Sequence, residues 1–428
     1  MDATPTISSP PTQPEPPGHW ASAAWVCLDW AASAFSTVLI TLVVAYVERI
    51  VFADKAWGVP AGVVWAWTLA AAMLVSAVIA PWLAAWADRK RAHQRALIAS
   101  VIAGAGGLLV LAAVPPTARL AVAACIVIAS VAFDVGGVFT GSLLPRIATG
   151  PAADRLSAYG FAAGYAGGGL ALIAATAVVA ARDQLGLTAA GGLRVAFCLT
   201  GAWWLLFSLP AAFVRFGDGS PESHAGNSGR ELRDFAWSLL RPAAGAGPQP
   251  LAAVLAGAML ALGAVQTAIA QFSSVALEQF HLDGPALVRL VLLVQAVALP
   301  GALAMGWIST RLGRRTATTL CLAGWIAVLV LSWFVRTVPE LYGLAGLLAV
   351  VLGGIQSVIR ATVAGLAPRG RFGVTFGLLQ VGTKLCGCAA SLAFGAIYQI
   401  SGDPRAGLAA LLVQLLAAWW ILRRAPAH

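Results

Sequence analysis

Charged residues are scarce in this chain, and their scarcity decides its broad class. Only 10% of the 428 residues are Asp, Glu, Lys or Arg, whereas 60% are hydrophobic. Soluble domains carry about 25% charged and about 45–50% apolar residues. Soluble cores cannot cover so much apolar sequence, so most of it must face lipid. The composition therefore predicts an integral membrane protein.

Histidine and cysteine are too few and too scattered to build a metal or redox site. The six cysteines lie inside apolar stretches, without the paired spacing of a zinc site or a disulfide framework. The five histidines fall in polar connections or tails, and none is predicted inside a membrane span. We expect no metal and no other cofactor. We also expect no enzyme, because an active site needs clustered His and carboxylate groups or a nucleophile with its base.

Basic residues outnumber acidic ones by 27 to 17, an excess that would suit a nucleic-acid-binding protein. Their distribution argues against that function. They are spread thinly between apolar runs, without a basic stripe or interleaved aromatic residues on which bases could stack. We therefore expect no nucleic-acid partner, and membrane topology has to explain the excess charge.

Twelve apolar runs are long enough to cross a bilayer, which takes about 20 residues per helix. The predicted all-α spans are residues 24–46, 61–84, 96–114, 120–144, 157–180, 194–214, 251–276, 287–309, 317–335, 341–365, 373–397 and 406–422.

Polar segments divide these spans into two sets of six. Residues 1–23 open with a Pro-, Thr- and Ser-rich segment that predicts a disordered tail. Residues 215–250 predict a central loop between six-helix bundles at 24–214 and 251–422, and residues 423–428 a second tail.

The positions of Lys and Arg predict the orientation, because basic residues accumulate in cytoplasmic loops. Seventeen of the 27 lie on the side of the N-terminus, seven lie on the opposite side, and three lie within spans. Both termini and the central loop are therefore predicted to be cytoplasmic. We expect a multi-pass protein of the bacterial cytoplasmic (inner) membrane.

Short signals recur at similar offsets in the two sets of spans. The loop after the second span contains Asp88-Arg89, and the loop after the eighth contains Thr310-Arg311, 222 residues later. Pro145 after the fourth span matches Pro368 after the tenth at an offset of 223. Parallel repeats of six spans are the plan of major facilitator transporters, and both loops resemble that superfamily's signature. The resemblance implies the major facilitator fold.

Residues at the predicted cytoplasmic ends indicate a gate between the two bundles. An acidic residue at one helix end can meet a basic loop or a helix N-terminus of the other bundle and so hold one state. The alternative is that basic residues there only anchor or snorkel to the interface. The predicted gate consists of Asp29, Arg360, Asp88, Arg89, Arg311, Arg314 and Arg315.

Several stretches resemble one branch of the superfamily, the autophagy-type permeases named for a fungal vacuolar amino-acid effluxer. The matching stretches are Leu28–Phe35, Leu144–Ile147, Gly164–Gly168 and Gly353–Arg360. The resemblance implies export or release of amino acids or similar small metabolites. The seventh span, where this branch tends to carry an acid, reads Leu262–Thr267 without one.

Ionisable groups inside a span cost about 2.5–3.5 kcal/mol each by insertion scales, so each is a candidate functional residue. Asp134 in the fourth span and Lys384 in the eleventh lie at matching depth in opposite bundles. Such a pair can close in one state and separate when substrate or a proton arrives. We predict Asp134 as the proton-coupling residue and Lys384 as its partner. The alternative is a fixed pair that only neutralises itself.

Uncharged polar residues complete the predicted cavity. They are Gln266, Thr267 and Gln271 in the seventh span and Gln356 in the tenth. A glutamine side chain both donates and accepts hydrogen bonds, which suits the ammonium and carboxylate ends of a zwitterion. Hydrogen bonding between helices is the alternative.

Glycines recur every four residues in the fifth span, at Gly160, Gly164 and Gly168. This spacing places all three on one face of a helix, where a neighbouring backbone can approach closely. We predict that they serve helix packing.

The sequence as a whole predicts a monomeric secondary transporter whose partners are a small-molecule substrate, protons and the lipid bilayer. It would export an amino acid or related metabolite across the cytoplasmic membrane by rocker-switch alternating access. Two alternatives stay open. One is a multidrug or natural-product efflux pump of the same fold. The other is a non-transporting membrane receptor or assembly factor, which the missing acid in the seventh span favours.

Overall fold

A computed structural model of the chain describes residues 19–54, 58, 61–216, 228–240, 250–280, 282, 284–401 and 403–425. The predicted tail before residue 19, the loop segments 217–227 and 241–249, and residues 426–428 lie outside the described residues. The side chain of Gln271 also lies outside them.

Twelve helices in the described chain are long and apolar enough to cross a membrane, as predicted. They are α1 (His19–Val51), α2 (Ala61–Lys90), α3 (His93–Ala113), α4 (Arg119–Ile147), α5 (Gly150–Ala180), α6 (Ala189–Phe213), α7 (Pro250–Phe280), α8 (Gly284–Leu312), α9 (Arg314–Ser332), α10 (Val338–Leu366), α11 (Phe372–Ser401) and α12 (Pro404–Arg424).

The helices form two bundles of six, which we call the N-terminal half (α1–α6) and the C-terminal half (α7–α12). Because the helices run alternately up and down, α1 begins and α12 ends on the same face of the bundle. We call this the termini face. Short loops connect neighbouring helices there. The loop between α8 and α9 is the single residue Gly313, whose φ is 88°.

The first span is longer than the sequence predicted. Helix α1 begins at His19, so residues 19–23 belong to the helix and not to the predicted tail. It continues to Val51 through two π-helical turns, Leu39–Val43 and Val47–Val51. Apolar length alone predicts a start at residue 24, because the polar His19 and Ser22 lower the local hydropathy.

A short helix, Ser228–Leu240, lies within the predicted central loop, and we call it the linker helix. It is amphipathic: Phe235 is buried in the core cluster, whereas Arg233 and Asp234 are exposed. Its Phe235 ring lies under the guanidinium of Arg371 at 5.1 Å, just before α11. The linker helix therefore packs on the termini face.

Close packing joins the two halves along two seams. Along one, α5 packs against α8 and α10; along the other, α11 packs against α2 and α4. Glycines permit this approach, since a Cβ at Gly377 in α11 would lie 3.2 Å from Ala84 of α2. A Cβ at Gly141 in α4 would lie 2.6 Å from the Phe376 ring of α11.

Candidate functional site

Asp134 and Lys384 form an ion pair between the two halves. Lys384 Nζ of α11 lies 3.0 Å from Asp134 Oδ1 of α4, and the two side chains are only 12% and 9% exposed. Asp134 lies 13 residues before the end of α4, and Lys384 lies 12 residues after the start of α11. At 1.5 Å per residue, both lie about 20 Å from the termini face. The structure thus brings together the two residues that the sequence predicted as partners.

Two further side chains bind the Asp134 carboxylate, and the sequence analysis did not predict either. Ser76 Oγ of α2 donates a 2.8 Å hydrogen bond to Oδ2, and its side chain is fully buried. Gln380 Nε2 of α11 donates to Oδ1 at 3.1 Å. Ser76 belongs to the same half as Asp134, whereas Gln380 and Lys384 belong to the other half. Separation of the halves would leave Asp134 with Ser76 alone.

Asp29 and Arg360 form a second ion pair between the halves, closer to the termini face. Arg360 Nη2 of α10 lies 2.8 Å from Asp29 Oδ2 of α1. The guanidinium also lies over the rings of Trp25 and Phe161, 4.5 and 4.2 Å from their centroids. A cation between aromatic faces gains electrostatic stabilisation in addition to its ion pair. Arg360 is therefore held in place by the N-terminal half and does not extend to the interface as a snorkelling residue would.

Ser157 of α5 extends the Asp29–Arg360 contact. Arg360 Nε donates to Ser157 Oγ at 3.0 Å, and Arg360 Nη2 donates to the Ser157 carbonyl at 2.9 Å. Ser157 Oγ in turn donates to the Ser357 carbonyl of α10 at 2.8 Å. These bonds tie α5 to α10 at the same level as the ion pair.

Asp88 holds the end of α2 against the start of α11. Its two carboxylate oxygens accept hydrogen bonds from the backbone N–H groups of Gly373 (2.9 Å) and Val374 (2.7 Å). The first N–H groups of a helix have no partner within the helix and carry a partial positive charge, so a carboxylate binds well there. At Asp88 the predicted gate thus uses a helix N-terminus of the other half, and we call the contact of Asp88 with Gly373 and Val374 the latch.

His93 is buried beside this latch, which corrects its predicted placement in a polar connection. Its side chain is 1% exposed, and its Nε2 lies 2.7 Å from Asp88 Oδ1. Arg146 Nη2, at the end of α4, lies 2.8 Å from His93 Nδ1. The turn between α2 and α3 is only two residues long, with Arg91 at a positive φ of 51°, so α3 begins at His93 itself. The run of basic residues from 89 to 95 hid this helix start.

Arg314 forms the third ion pair between the halves. Its Nε lies 2.8 Å from Asp154 Oδ1 at the start of α5, and its Nη2 donates to the Gly150 carbonyl at 3.2 Å. Asp154 was not predicted as a gate residue.

The other predicted gate arginines lie elsewhere on the termini face. Arg311 lies over the Trp307 ring of its own helix at 6.0 Å. Arg315 donates to the Arg423 carbonyl, so both partners belong to the C-terminal half. Arg89 lies next to Asp88, one residue before the end of α2. The structure does not bring Arg311 or Arg315 into the contact between the halves.

The predicted polar residues of α7 and α10 occupy different environments. Gln356 Nε2 donates to Tyr165 Oη of α5 at 3.4 Å, so it reaches the other half. Thr267 donates to the Gly387 carbonyl of α11 at 3.1 Å, which is a contact inside the C-terminal half. Gln266 is exposed, and the side chain of Gln271 lies outside the described residues. Of the three whose side chains the structure describes, Gln356 is hydrogen-bonded to the other half.

The three predicted packing glycines of α5 all face α1. A Cβ at Gly164 would lie 2.6 Å from Ser33 Oγ, and one at Gly168 would contact Thr37 Oγ1. A Cβ at Gly160 would collide with Asp29 Oδ2 and lie 2.7 Å from Arg360 Nη2. Gly160 therefore leaves the space that the Asp29–Arg360 pair occupies.

The charges at the contact between the halves have one consistent polarity. In each of the three ion pairs that join the halves among the described residues, the acid belongs to the N-terminal half and the base to the C-terminal half. The Asp88 latch follows the same rule, because its partner is the positive end of α11. Among the described residues, no group of three or more His, Cys, Asp or Glu side chains is arranged to bind a metal ion. Each of these contacts therefore joins an acid of the N-terminal half to a positive charge of the C-terminal half.

Solved structures of two transporters share the fold of this chain. The human organic anion transporter MFSD10 (TETRAN) superposes with a TM-score of 0.73 at 16% identity, over 94% of this chain and 98% of that chain. The E. coli fucose:proton symporter FucP superposes with a TM-score of 0.71 at 12% identity, over 96% of this chain and 98% of that chain. Twelve spans in two bundles of six, together with this likeness, show that the chain has the fold of these two transporters.

Sequence comparison gives the family. The profile described as "Vacuole effluxer Atg22 like" matches residues 62–426, and the chain belongs to this family. The uncharacterized MFS-type transporter YxiO of Bacillus subtilis is 24% identical over 411 residues, or 94% of each chain. Autophagy-related protein 22 of Chaetomium globosum is 30% identical over 241 residues, or 50% of this chain and 36% of the fungal protein. The superfamily and the branch predicted from the sequence are thereby confirmed.

Proposed function

We propose that this protein exports a small zwitterionic solute, an amino acid or a related metabolite, by proton-coupled alternating access. The observation that carries the proposal is the Asp134–Lys384 pair, which joins the two halves deep within the spans at 3.0 Å. The name of the matching family, which describes a vacuole effluxer, supports release of solute as the direction.

The proposed cycle follows from the cost of leaving charges unpaired. Removing one partner of a buried ion pair costs about 3–5 kcal/mol, because the other charge remains without compensation. The halves therefore part readily only when new groups replace the lost partners. A solute ammonium or a proton would take the place of Lys384 at Asp134, and a solute carboxylate would bind Lys384.

The uniform polarity of the contact supports a zwitterion and sets its orientation. Acids line the N-terminal half and bases line the C-terminal half. A solute with one charge of each sign would lie across the gap with its ammonium toward α4 and its carboxylate toward α11. A solute with a single charge would satisfy one half and leave the other unpaired.

We further propose that the termini face is cytoplasmic, which the excess of Lys and Arg there supports. In the structure the latch, the Asp29–Arg360 pair and the Asp154–Arg314 pair all lie toward this face. The described conformation is accordingly proposed as the one closed to the cytoplasm. Parting of these contacts would admit solute from inside the cell, as export by a rocker switch requires.

Counterflow in proteoliposomes tests the proposal. Purified protein would be reconstituted and assayed with a panel of radiolabelled amino acids, peptides and cationic drugs, with and without a pH gradient. We expect uptake of at least one zwitterion and loss of its pH dependence in Asp134→Asn. The matched control is Asp183→Asn, because Asp183 is 83% exposed beside Arg182 in the loop after α5.

Three outcomes would decide against parts of the proposal. Unchanged pH dependence in Asp134→Asn would exclude Asp134 as the coupling residue. Flux of cationic drugs without flux of zwitterions would identify a multidrug efflux pump of the same fold. Absence of all flux, with binding of a partner protein, would identify the non-transporting receptor.

A further inference from the structure

His93 contacts both the latch carboxylate and an arginine. Its Nε2 lies 2.7 Å from Asp88 Oδ1, and its Nδ1 lies 2.8 Å from Arg146 Nη2. The same Asp88 Oδ1 accepts the N–H of Gly373 at 2.9 Å. A continuous series of polar contacts therefore runs from the end of α4 through His93 and Asp88 to the start of α11.

The chemistry of Asp88 places a proton on His93 Nε2, because a carboxylate only accepts hydrogen bonds and Nε2 lies 2.7 Å from Asp88 Oδ1. Arg146 Nη2 lies 2.8 Å from Nδ1 and 3.3 Å from Nε2, so the guanidinium lies beside both ring nitrogens. A positive charge at that distance opposes a second proton on the ring. The arrangement in the structure therefore favours a neutral His93.

We propose that His93 is the positioning residue of the latch and that its protonation releases α11 from α2. The neutral ring, anchored by Arg146, fixes the Asp88 carboxylate where both oxygens meet the N–H groups of α11. The proposal rests on the proposed function only in that the termini face must open during the transport cycle.

Protonation of His93 would disturb its contact with Arg146. The charged and aromatic groups that face His93 are Asp88 from α2, and Arg146 and the edge-on Phe139 ring from α4, with ring centroids 6.2 Å apart. An added proton on Nδ1 would set two donors and two positive charges 2.8 Å apart. The ring would have to leave Arg146, and its strengthened charge-assisted bond would draw Asp88 with it, away from α11. Histidine is the side chain that ordinarily changes charge between about pH 5 and pH 8, so the cytoplasm could drive this change.

The expected consequence is a second pH response, separate from proton coupling at Asp134. Asp134 lies about 20 Å deeper than the start of α11, since 12 residues at 1.5 Å each separate Lys384 from that helix end. The latch would determine how often the termini face opens. Asp134 would couple transport to protons once that face is open.

Hydrogen–deuterium exchange of the protein in nanodiscs tests the proposal without any need for transport. The peptide containing the N–H groups of Gly373 and Val374 reports directly on the latch. After correction for the intrinsic pH dependence of exchange, we expect this peptide to exchange roughly tenfold faster at pH 5.5 than at pH 7.5. A tenfold change corresponds to about 1.4 kcal/mol.

Variants separate titration of His93 from a purely structural role. His93→Gln offers a donor and an acceptor but cannot be charged, so slow exchange should persist at both pH values. His19→Gln, the same change at the exposed start of α1, should keep the wild-type response. Asp88→Asn should exchange rapidly at both pH values.

Two results would overturn the proposal. One is an acid-induced increase in exchange in His93→Gln as large as in wild type. The other comes from ¹⁵N NMR of histidine-labelled wild-type protein, with the His93 signal assigned from the His93→Gln spectrum or, should that variant not fold, from His93→Asn. An Nδ1-protonated ring at pH 7.5 would contradict the assigned tautomer. Loss of flux in the counterflow assay with an intact exchange response would instead count against the proposed function alone.

Discussion

Ser76 donates a 2.8 Å hydrogen bond to Asp134 from within the same half of the molecule. The other two partners of that carboxylate, Gln380 and Lys384, come from the opposite half. Ser76 therefore moves together with Asp134, whereas the other two contacts break whenever the halves part. The two kinds of partner should have different effects when they are removed.

Ser76→Ala and Gln380→Ala form the first test of this difference. Ser76→Ala removes a hydrogen bond in both conformations, so we expect slower counterflow with little change in the equilibrium between them. Gln380→Ala weakens only the described conformation. A hydrogen bond to a charged group contributes about 1.5–3 kcal/mol, so opening at the termini face should increase at least tenfold. Hydrogen–deuterium exchange of α4 and α11 measures the opening, and equal shifts in both variants would contradict this interpretation.

Arg360→Lys tests whether the second ion pair needs a guanidinium. An ammonium group can pair with Asp29 but cannot also bind Ser157 through two nitrogens and stack between two rings. We expect a loss of about 2 kcal/mol in the contact, seen as faster exchange in the last turns of α10 and a lower melting temperature. The control is Arg289→Lys at an exposed position in α8. A melting temperature unchanged in both variants would rule out a special role for the Arg360 guanidinium.

Gly160→Ala tests the space beside the Asp29–Arg360 pair. The new Cβ would collide with Asp29 Oδ2, so the pair must separate or α5 must move away from α1. We expect counterflow to fall at least tenfold while the protein still folds. Gly169→Ala lies in the same helix, and its Cβ would meet only Gln295 at an ordinary 3.6 Å. Activity close to wild type is expected for this control, and equal losses in the two variants would point to general damage to α5.

Asp88→Asn tests the electrostatic part of the latch. The amide keeps one acceptor for the N–H groups of α11 but loses the charge that interacts with the helix N-terminus, worth about 0.3–1 kcal/mol or up to about 2 kcal/mol when partly buried. We expect more frequent opening of the termini face, measured as faster labelling of that face by a membrane-impermeant lysine or cysteine reagent. Thr310→Val changes the matching position of the repeat, where Thr310 Oγ1 donates to the Trp307 carbonyl of its own helix. A similar increase in labelling of Thr310→Val would show that opening of the termini face does not depend on the latch.

The contrast between Asp88 and Thr310 also shows what sequence can predict. Span number, the repeat, and the depth of Asp134 and Lys384 follow from apolar length and from the rarity of charge, so the sequence sufficed for them. The sequence leaves two kinds of partner open for Asp88, a basic loop or a helix N-terminus of the other half. Only the packing of the helices shows that the partner is the N-terminus of α11.

Residues missed by the sequence analysis share a physical cause. Ser76, Ser157 and Gln380 are ordinary polar residues within apolar helices, and hydrogen bonding between helices explains such residues equally well. Their role depends on how each helix is rotated, which the residues of one helix do not determine. His93 was missed for a local reason, because a two-residue turn brings it from an apparent loop into the packed end of α3.

The polarity of the contact between the halves bears on how the two halves could be assembled from separate chains. Two copies of the N-terminal half, placed face to face, would leave Asp29, Asp134 and Asp154 without their basic partners. Two copies of the C-terminal half would leave Arg314, Arg360 and Lys384 without their acidic partners. Only unlike halves neutralise each other's charges. If the gene is split in the segment after α6, we expect that neither fragment forms a homodimer and that the two fragments assemble as a one-to-one heterodimer.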